Sequence, residues 1–101
     1  MRKKGLEIKA QNYRCRMGEI DLIARDGPYL VFVEVKYRSD SRRGGALAAV
    51  TKKKQQVIGQ VAQNYLLRYH GRVDLPCRFD VIGIEGEKIY WIKDAFDSVS
   101  R

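Results

Sequence analysis

Residues 29–38, YLVFVEVKYR, are a nearly continuous apolar run rich in Val and aromatic side chains. That composition favours a strand. Both faces are apolar near its start, which places the strand at the centre of a sheet. The rest of the chain must supply its neighbours. Residues 6–16 alternate loosely and read as a first strand. Residues 19–25 alternate better, with Ile20, Leu22 and Ala24 on one face and Glu19, Asp21 and Ile23 on the other. Gly18 breaks the chain between these two segments, and Asp26-Gly27-Pro28 is a turn signal.

Residues 39–46, SDSRRGGA, read as a polar, basic loop. A helix follows, with Thr51 as its N-cap and Gly71 at its end. Val57, Ile58, Val61, Ala62, Tyr65, Leu66 and Tyr69 recur at three- and four-residue steps and form its apolar stripe. Residues 77–84 and 88–93 are two more strands, joined as a hairpin through Glu85-Gly86-Glu87. Three strands, a helix and two strands predict a mixed α/β sheet with one flanking helix. A chain of 101 residues without repeats or linkers reads as a single domain, 1–101.

Several function classes fall away. No stretch approaches the roughly 18 apolar residues of a membrane span. No N-terminal apolar run resembles a signal peptide, so the expected compartment is the cytoplasm and no membrane partner is expected. Cys15, Cys77 and His70 are the only Cys and His residues, one too few for a four-ligand structural zinc site. His70 falls at the predicted helix end, where it would cap carbonyls and oppose the helix dipole.

The chain carries twenty Lys+Arg against twelve Asp+Glu, a formal net charge of +8. All of the surplus lies in residues 1–54, which hold fourteen basic and six acidic residues. Arg2-Lys3-Lys4 is one cluster. Arg42 and Arg43 with Lys52, Lys53 and Lys54 form the other. Clustered positive charge is the footprint of a polyanion partner, most often nucleic acid. A solvated basic surface gives the same composition.

Glu34 and Lys36 interrupt the apolar run and, two residues apart on a strand, point to one face. Pairing residues 19–25 with this strand across a two-residue Gly27-Pro28 loop puts Arg25 opposite Leu30, Asp21 opposite Glu34 and Glu19 opposite Lys36. Glu19, Asp21, Glu34 and Lys36 then share a face. Facing carboxylates repel and need a cation. Lys36 could supply it as a purely structural ion pair. A divalent metal is the sharper reading: Asp21 and Glu34 are hard oxygen ligands suited to Mg²⁺, with Lys36 beside the reactive water. Acid-x-Lys alone is weak, since Glu7-Ile8-Lys9 also matches it. The strand context is what separates the two occurrences.

Lys52, Lys53 and Lys54 crowd the first turn of the predicted helix, where the macrodipole disfavours cations. With the free N–H groups there, they would make a phosphate-binding corner. Gln55 and Gln56 could reach a scissile phosphate or a metal water. Tyr13, Tyr37 and Trp91 could stack on bases, and Asp80 reads as a salt-bridge partner for an arginine.

The segments Asn12-Tyr13-Arg14-Cys15-Arg16, Gly18-Glu19-Ile20-Asp21-Leu22-Ile23-Ala24 and Val31-Phe32-Val33-Glu34-Val35-Lys36-Tyr37-Arg38 resemble the YraN-like family of bacterial proteins. So do Ala49-Val50-Thr51-Lys52-Lys53-Lys54-Gln55 and Arg78-Phe79-Asp80-Val81-Ile82. The family is placed with the PD-(D/E)XK nuclease superfamily and is similar to archaeal Holliday-junction resolvases. The resemblance implies a restriction-endonuclease-like mixed β-sheet and Mg²⁺- or Mn²⁺-dependent phosphodiester hydrolysis. By position, Asp21 is the motif aspartate, Glu34 and Lys36 the E-x-K pair, and Glu19 and Gln55 further site positions. Family members usually begin with an additional helix, often carrying a glutamate, whereas this chain starts almost at its first strand. An apolar sheet face left open by that difference would favour a homodimer.

The leading expectation is a metal-dependent nuclease, with DNA ahead of RNA and branched or nicked DNA as candidate substrates. Asp21 and Glu34 would hold the metal, Lys36 would position water, and Arg42, Arg43, Lys52, Lys53 and Lys54 would hold the backbone. The alternatives are a non-catalytic nucleic-acid-binding module of the same fold, and a structural partner in a larger assembly.

Overall fold

The computed structural model describes residues 6–37 and 50–97. Five strands form one sheet in sequential order: β1 (Leu6–Cys15), β2 (Gly18–Asp26), β3 (Tyr29–Tyr37), β4 (Cys77–Glu85) and β5 (Lys88–Phe96). β1, β2 and β3 pair antiparallel, β3 and β4 pair parallel, and β4 and β5 pair antiparallel. The parallel step needs a crossover, and α1 (Lys52–His70) lies within it. The chain is therefore mixed α/β, with β3 at the centre as its two-sided apolar pattern requires.

Side-chain alternation along β3 divides the core. Leu30 and Phe32 join Ile58, Val61, Ala62, Tyr65 and Leu66 of α1 on the helix side. Val31 and Val33 join Ala24 and Ile82 on the opposite face. Each large apolar side chain buried in this way contributes roughly 1.5–3 kcal/mol, so the sheet and not intrinsic propensity holds α1 in place. Tyr13 is part of the helix-side core, edge-on to Tyr65 with ring centroids 5.2 Å apart. Its hydroxyl donates to Asn64, which removes it as a base-stacking candidate.

The expected ends of α1 are the observed ones. Thr51 Oγ1 accepts from Lys54 N at 3.1 Å. Gly71 adopts the left-handed conformation (φ 75°) and its N–H donates to Leu67 O at 3.1 Å. His70 closes the last turn and is exposed. At the other end of the helix, Gly18 admits Val57: a Cβ on Gly18 would stand 2.7 Å from Val57 Cγ1.

Two strands depart from simple alternation. The β1–β2 register shifts between Ile8 and Ala10 and is then unbroken from Gln11↔Leu22 to Tyr13↔Ile20, but Asn12 between them has φ 52° and kinks β1. Asn tolerates this conformation better than most residues. The kink returns Ile20 to the helix-side core beside Ile23, so Ile20 does not share a face with Leu22 and Ala24 as strict alternation predicts. β5 runs three residues beyond the expected 88–93. Its register slips between Val81↔Ile92 and Phe79↔Phe96. Asp94 sits in the slip with φ 52°, its N–H donating to Asp80 Oδ1 at 2.9 Å.

Asp80 is fully buried and its carboxylate is well satisfied. Arg78 Nε donates to Oδ1 at 3.0 Å and Trp91 Nε1 to Oδ2 at 2.8 Å. Arg78 continues to Asp26 Oδ2 at 2.9 Å. This network ties β2, β4 and β5 together and matches the arginine partner expected for Asp80. Trp91 is committed to it.

Candidate metal and nucleic-acid site

β2 and β3 meet across the two-residue Gly27-Pro28 turn in the expected register, from Asp26↔Tyr29 through Arg25↔Leu30 to Leu22↔Val33. Pairing stops there, although β2 continues back to Gly18 and β3 forward to Tyr37. The sheet splits, and Asp21 and Glu34 are the first residues on either side of the split. They are not ladder partners, and Glu19 is not paired with Lys36. The carboxylate of Asp21 spans the gap: its Oδ2 accepts from Val35 N at 2.8 Å. A side chain thus supplies the acceptor that the neighbouring strand has withdrawn.

Glu34 is 5% exposed. Lys36 Nζ lies 3.2 Å from its Oε2, and Lys54 Nζ of α1 lies 3.8 Å from the same atom. Burial pushes the Glu34 carboxyl above its ordinary value, and the negative charge of Asp21 pushes it further. Lys54 and Lys36 pull it back down. Burial, which disfavours the charged carboxylate, outweighs the two ammonium groups here. The ion pairs sit on the helix side of the sheet, where alternation from Phe32 directs Glu34 and Lys36.

The first turn of α1 divides its lysines. Lys54 turns inward to Glu34, whereas Lys52 and Lys53 are exposed. The sequence pattern suggests phosphate binding for all three and gives no hint that Lys54 is an ion partner of Glu34. The signal available for it is positional, because Thr51 Oγ1 holds the Lys54 backbone and so fixes where its side chain starts. Gln55 is engaged with the backbone at the start of the helix. Its Nε2 donates to Val50 O at 3.1 Å, which clamps the residue before the cap. Glu19 also has another partner, with Oε1 3.5 Å from Arg14 Nε across the β1–β2 pair. Tyr37 is 75% exposed but follows Val33 and Val35 on the face opposite Glu34. Arg42 and Arg43 lie outside the described residues.

The donor set fits a hard divalent cation. Asp21 and Glu34 offer carboxylate oxygens, and Mg²⁺ commonly takes one or two carboxylates and keeps several waters. Among the described residues no group of three or more His, Cys, Asp or Glu side chains gathers, so the remaining positions would fall to water and substrate. A separate cleft of about 450 Å³ lies between α1 and the β4–β5 pair, lined in part by Ala62, Leu66, Phe79 and Phe96. It contains neither Asp21 nor Glu34. Cys77 borders it, with its thiol pushed up by burial and bonded to Leu75 O at 3.3 Å. An inert, protonated thiol follows from that environment.

The chain matches the uncharacterised protein family UPF0102 over residues 1–84. It belongs to that family. A UPF0102 protein of Legionella pneumophila is 49% identical over 100 residues, covering 97% of this chain and 85% of the relative. One of Lachnoclostridium phytofermentans is 49% identical over 96 residues, covering 95% and 81%. The UPF0102 protein YraN of Escherichia fergusonii is 49% identical over 98 residues, covering 96% and 75%. The family-level resemblance read from the segments around Asp21 and Glu34 is therefore correct. No helix among the described residues is long and apolar enough to cross a membrane.

Proposed function

We propose that this UPF0102 chain is a divalent-metal-dependent nuclease of the PD-(D/E)XK kind, with a restriction-endonuclease-like core, that hydrolyses nucleic-acid phosphodiesters. The observation that carries this reading is the pair of carboxylates at the split between β2 and β3, with an ammonium on the buried one. Asp21 and Glu34 would hold Mg²⁺ or Mn²⁺. A divalent ion there would acidify water and offset charge on the phosphate.

The chain's own groups do the rest. The Val35 N–H fixes the Asp21 carboxylate, and packing under α1 fixes Glu34, so both ligands are oriented before substrate arrives. Lys36 presents a rotatable triple donor beside Glu34 and orients the attacking water against the phosphate. Lys52 and Lys53, exposed at the N-terminus of α1, hold backbone phosphates with the free N–H groups of that turn. Arg42 and Arg43 are assigned the same backbone role from sequence. Lys54 neutralises Glu34 and competes with the cation. Glu19 and Gln55 carry no step in this scheme, since each is engaged elsewhere. DNA ahead of RNA, branched or nicked DNA as substrate, a cytoplasmic location and a homodimer belong to the same proposal.

One observation favours a second reading, a nucleic-acid-binding module without catalysis: Glu34 already has two ammonium neighbours and could be a structural ion cluster. A substrate panel separates the two. Single-stranded, duplex, flap and four-way-junction DNA and RNA are incubated with Mg²⁺, Mn²⁺ or EDTA, alongside Glu34→Ala and Lys36→Ala. The nuclease requires metal-dependent cutting that falls about 10²-fold or more in both variants. Binding without cutting, or cutting equal in the variants, supports the module.

A further inference from the structure

Glu85, the last residue of β4, has a carboxylate oxygen, Oε2, that is enclosed and has no hydrogen-bond partner among the described residues. Buried polar atoms are nearly always paired, so this oxygen calls for a physical reason. Its position offers one. Val81 lies in the helix-side core, whereas Ile82 and Ile84 belong to the opposite face. Alternation therefore puts Gly83 and Glu85 on the helix side, the face of Glu34 and Lys36. The parallel register sets Lys36 beside Gly83. Lys36 thus has Glu34 two residues back on its own strand and Glu85 two residues further along the neighbouring one. Gly83 places no side chain between them. Diagonal neighbours of this kind are about 7–8 Å apart at the backbone, within reach of long side chains.

We propose that Glu85 is the second station for the Lys36 ammonium, a positioning residue occupied when a divalent cation takes Glu34. The inference rests on the metal-dependent reading above. Without the cation, Lys36 neutralises Glu34 at 3.2 Å. A cation on Asp21 and Glu34 repels that ammonium and removes its counter-charge. Lys36 swings across Gly83 to the waiting oxygen of Glu85. The lysine remains beside the site, held by a carboxylate that is not a ligand. Glu85 so reduces the competition between Lys36 and the cation for Glu34.

Calorimetric titration of Mg²⁺ alone into wild type, Glu85→Gln, Lys36→Met and the double variant tests this without any turnover. With Lys36 in place, Glu85→Gln should weaken Mg²⁺ binding by about ten-fold, the scale of coupling between neighbouring charges. In the Lys36→Met protein the same substitution should cost little. Glu85→Asp, which keeps the charge but withdraws it by one methylene, should be intermediate. NMR of the Lys36 side chain should show a Mg²⁺-dependent shift in wild type and lose it in Glu85→Gln. If wild type binds Mg²⁺ and Glu85→Gln binds it equally well, the proposal fails alone. Equal losses with and without the lysine also overturn it, because Glu85 would then act on the cation directly. If wild type binds no Mg²⁺, the nuclease reading and this inference fall together.

Discussion

Asp21 Oδ2 accepts the Val35 N–H at 2.8 Å where β2 and β3 stop pairing. One carboxylate therefore closes the sheet and forms half of the candidate cation site. The two roles separate by substitution. Asp21→Asn keeps an acceptor for Val35 and should change stability little, whereas Asp21→Ala leaves that N–H unpaired and should cost about 1–3 kcal/mol. Both should abolish Mg²⁺ binding. Chemical denaturation with parallel calorimetry checks the pair, and equal stability of the two variants would contradict the closing role.

Glu34 makes stability depend on pH. Its folded-state carboxyl titrates above the ordinary 4.5, chiefly because it is buried and then because Asp21 is near. A raised acid favours the folded state fully below pH 4.5, and that contribution is lost as pH rises through the folded value. Glu34→Gln removes the loss. At pH 7 it should be more stable than wild type by an amount on the order of 1 kcal/mol, as when a strained functional group is neutralised. Thermal melts from about pH 4 to about pH 8 should show the gap closing at the acid end. A gap that widens on acidification would show that the two lysines outweigh burial.

Asp80 should matter for folding and not for chemistry. It is fully buried and anchors Arg78, Trp91 and the Asp94 backbone. Asp80→Ala leaves Arg78 with Asp26 alone and the Trp91 and Asp94 N–H groups unpaired, and should cost about 3–5 kcal/mol. Mg²⁺ affinity measured well below the melting temperature should stay at the wild-type value, because Asp80 takes no part in the cation site.

Lys52 and Lys53 should contribute to nucleic-acid affinity through phosphates alone. The double Lys52→Ala, Lys53→Ala variant should weaken binding to all sequences alike. The slope of log K against log salt should become shallower by about one for each lysine removed. Fluorescence anisotropy from low to moderate salt reads this directly. An unchanged slope would remove both lysines from the interface.

The elements were legible because each leaves a local periodic signal. The strand at 29–37, the Thr51 and Gly71 caps and the Gly27-Pro28 turn all follow from near neighbours in sequence, and the register from Arg25↔Leu30 to Leu22↔Val33 follows from the turn. Asp21, Glu34 and Lys36 were legible as interruptions of apolar patterns. That Glu19 does not pair with Lys36 was not legible, because a register carried past Leu22 assumes that the strands stay together, and nothing local to Gln55 announces its bond to Val50. The Asp21–Val35 bond stands where the ladder would have continued.

By itself the sequence determined which residues form strands and helix, which strand is central, and which two acids stand in apolar company. Those properties are set by spacing and by side-chain chemistry within a few residues. Only the tertiary structure decided that Lys54 joins Lys36 on Glu34, that Arg14 takes Glu19, and that Glu85 shares a sheet face with the site. These relationships depend on where a strand splits and how a helix lies across the crossover. Both are outcomes of packing between segments far apart in the chain, and no local pattern encodes them.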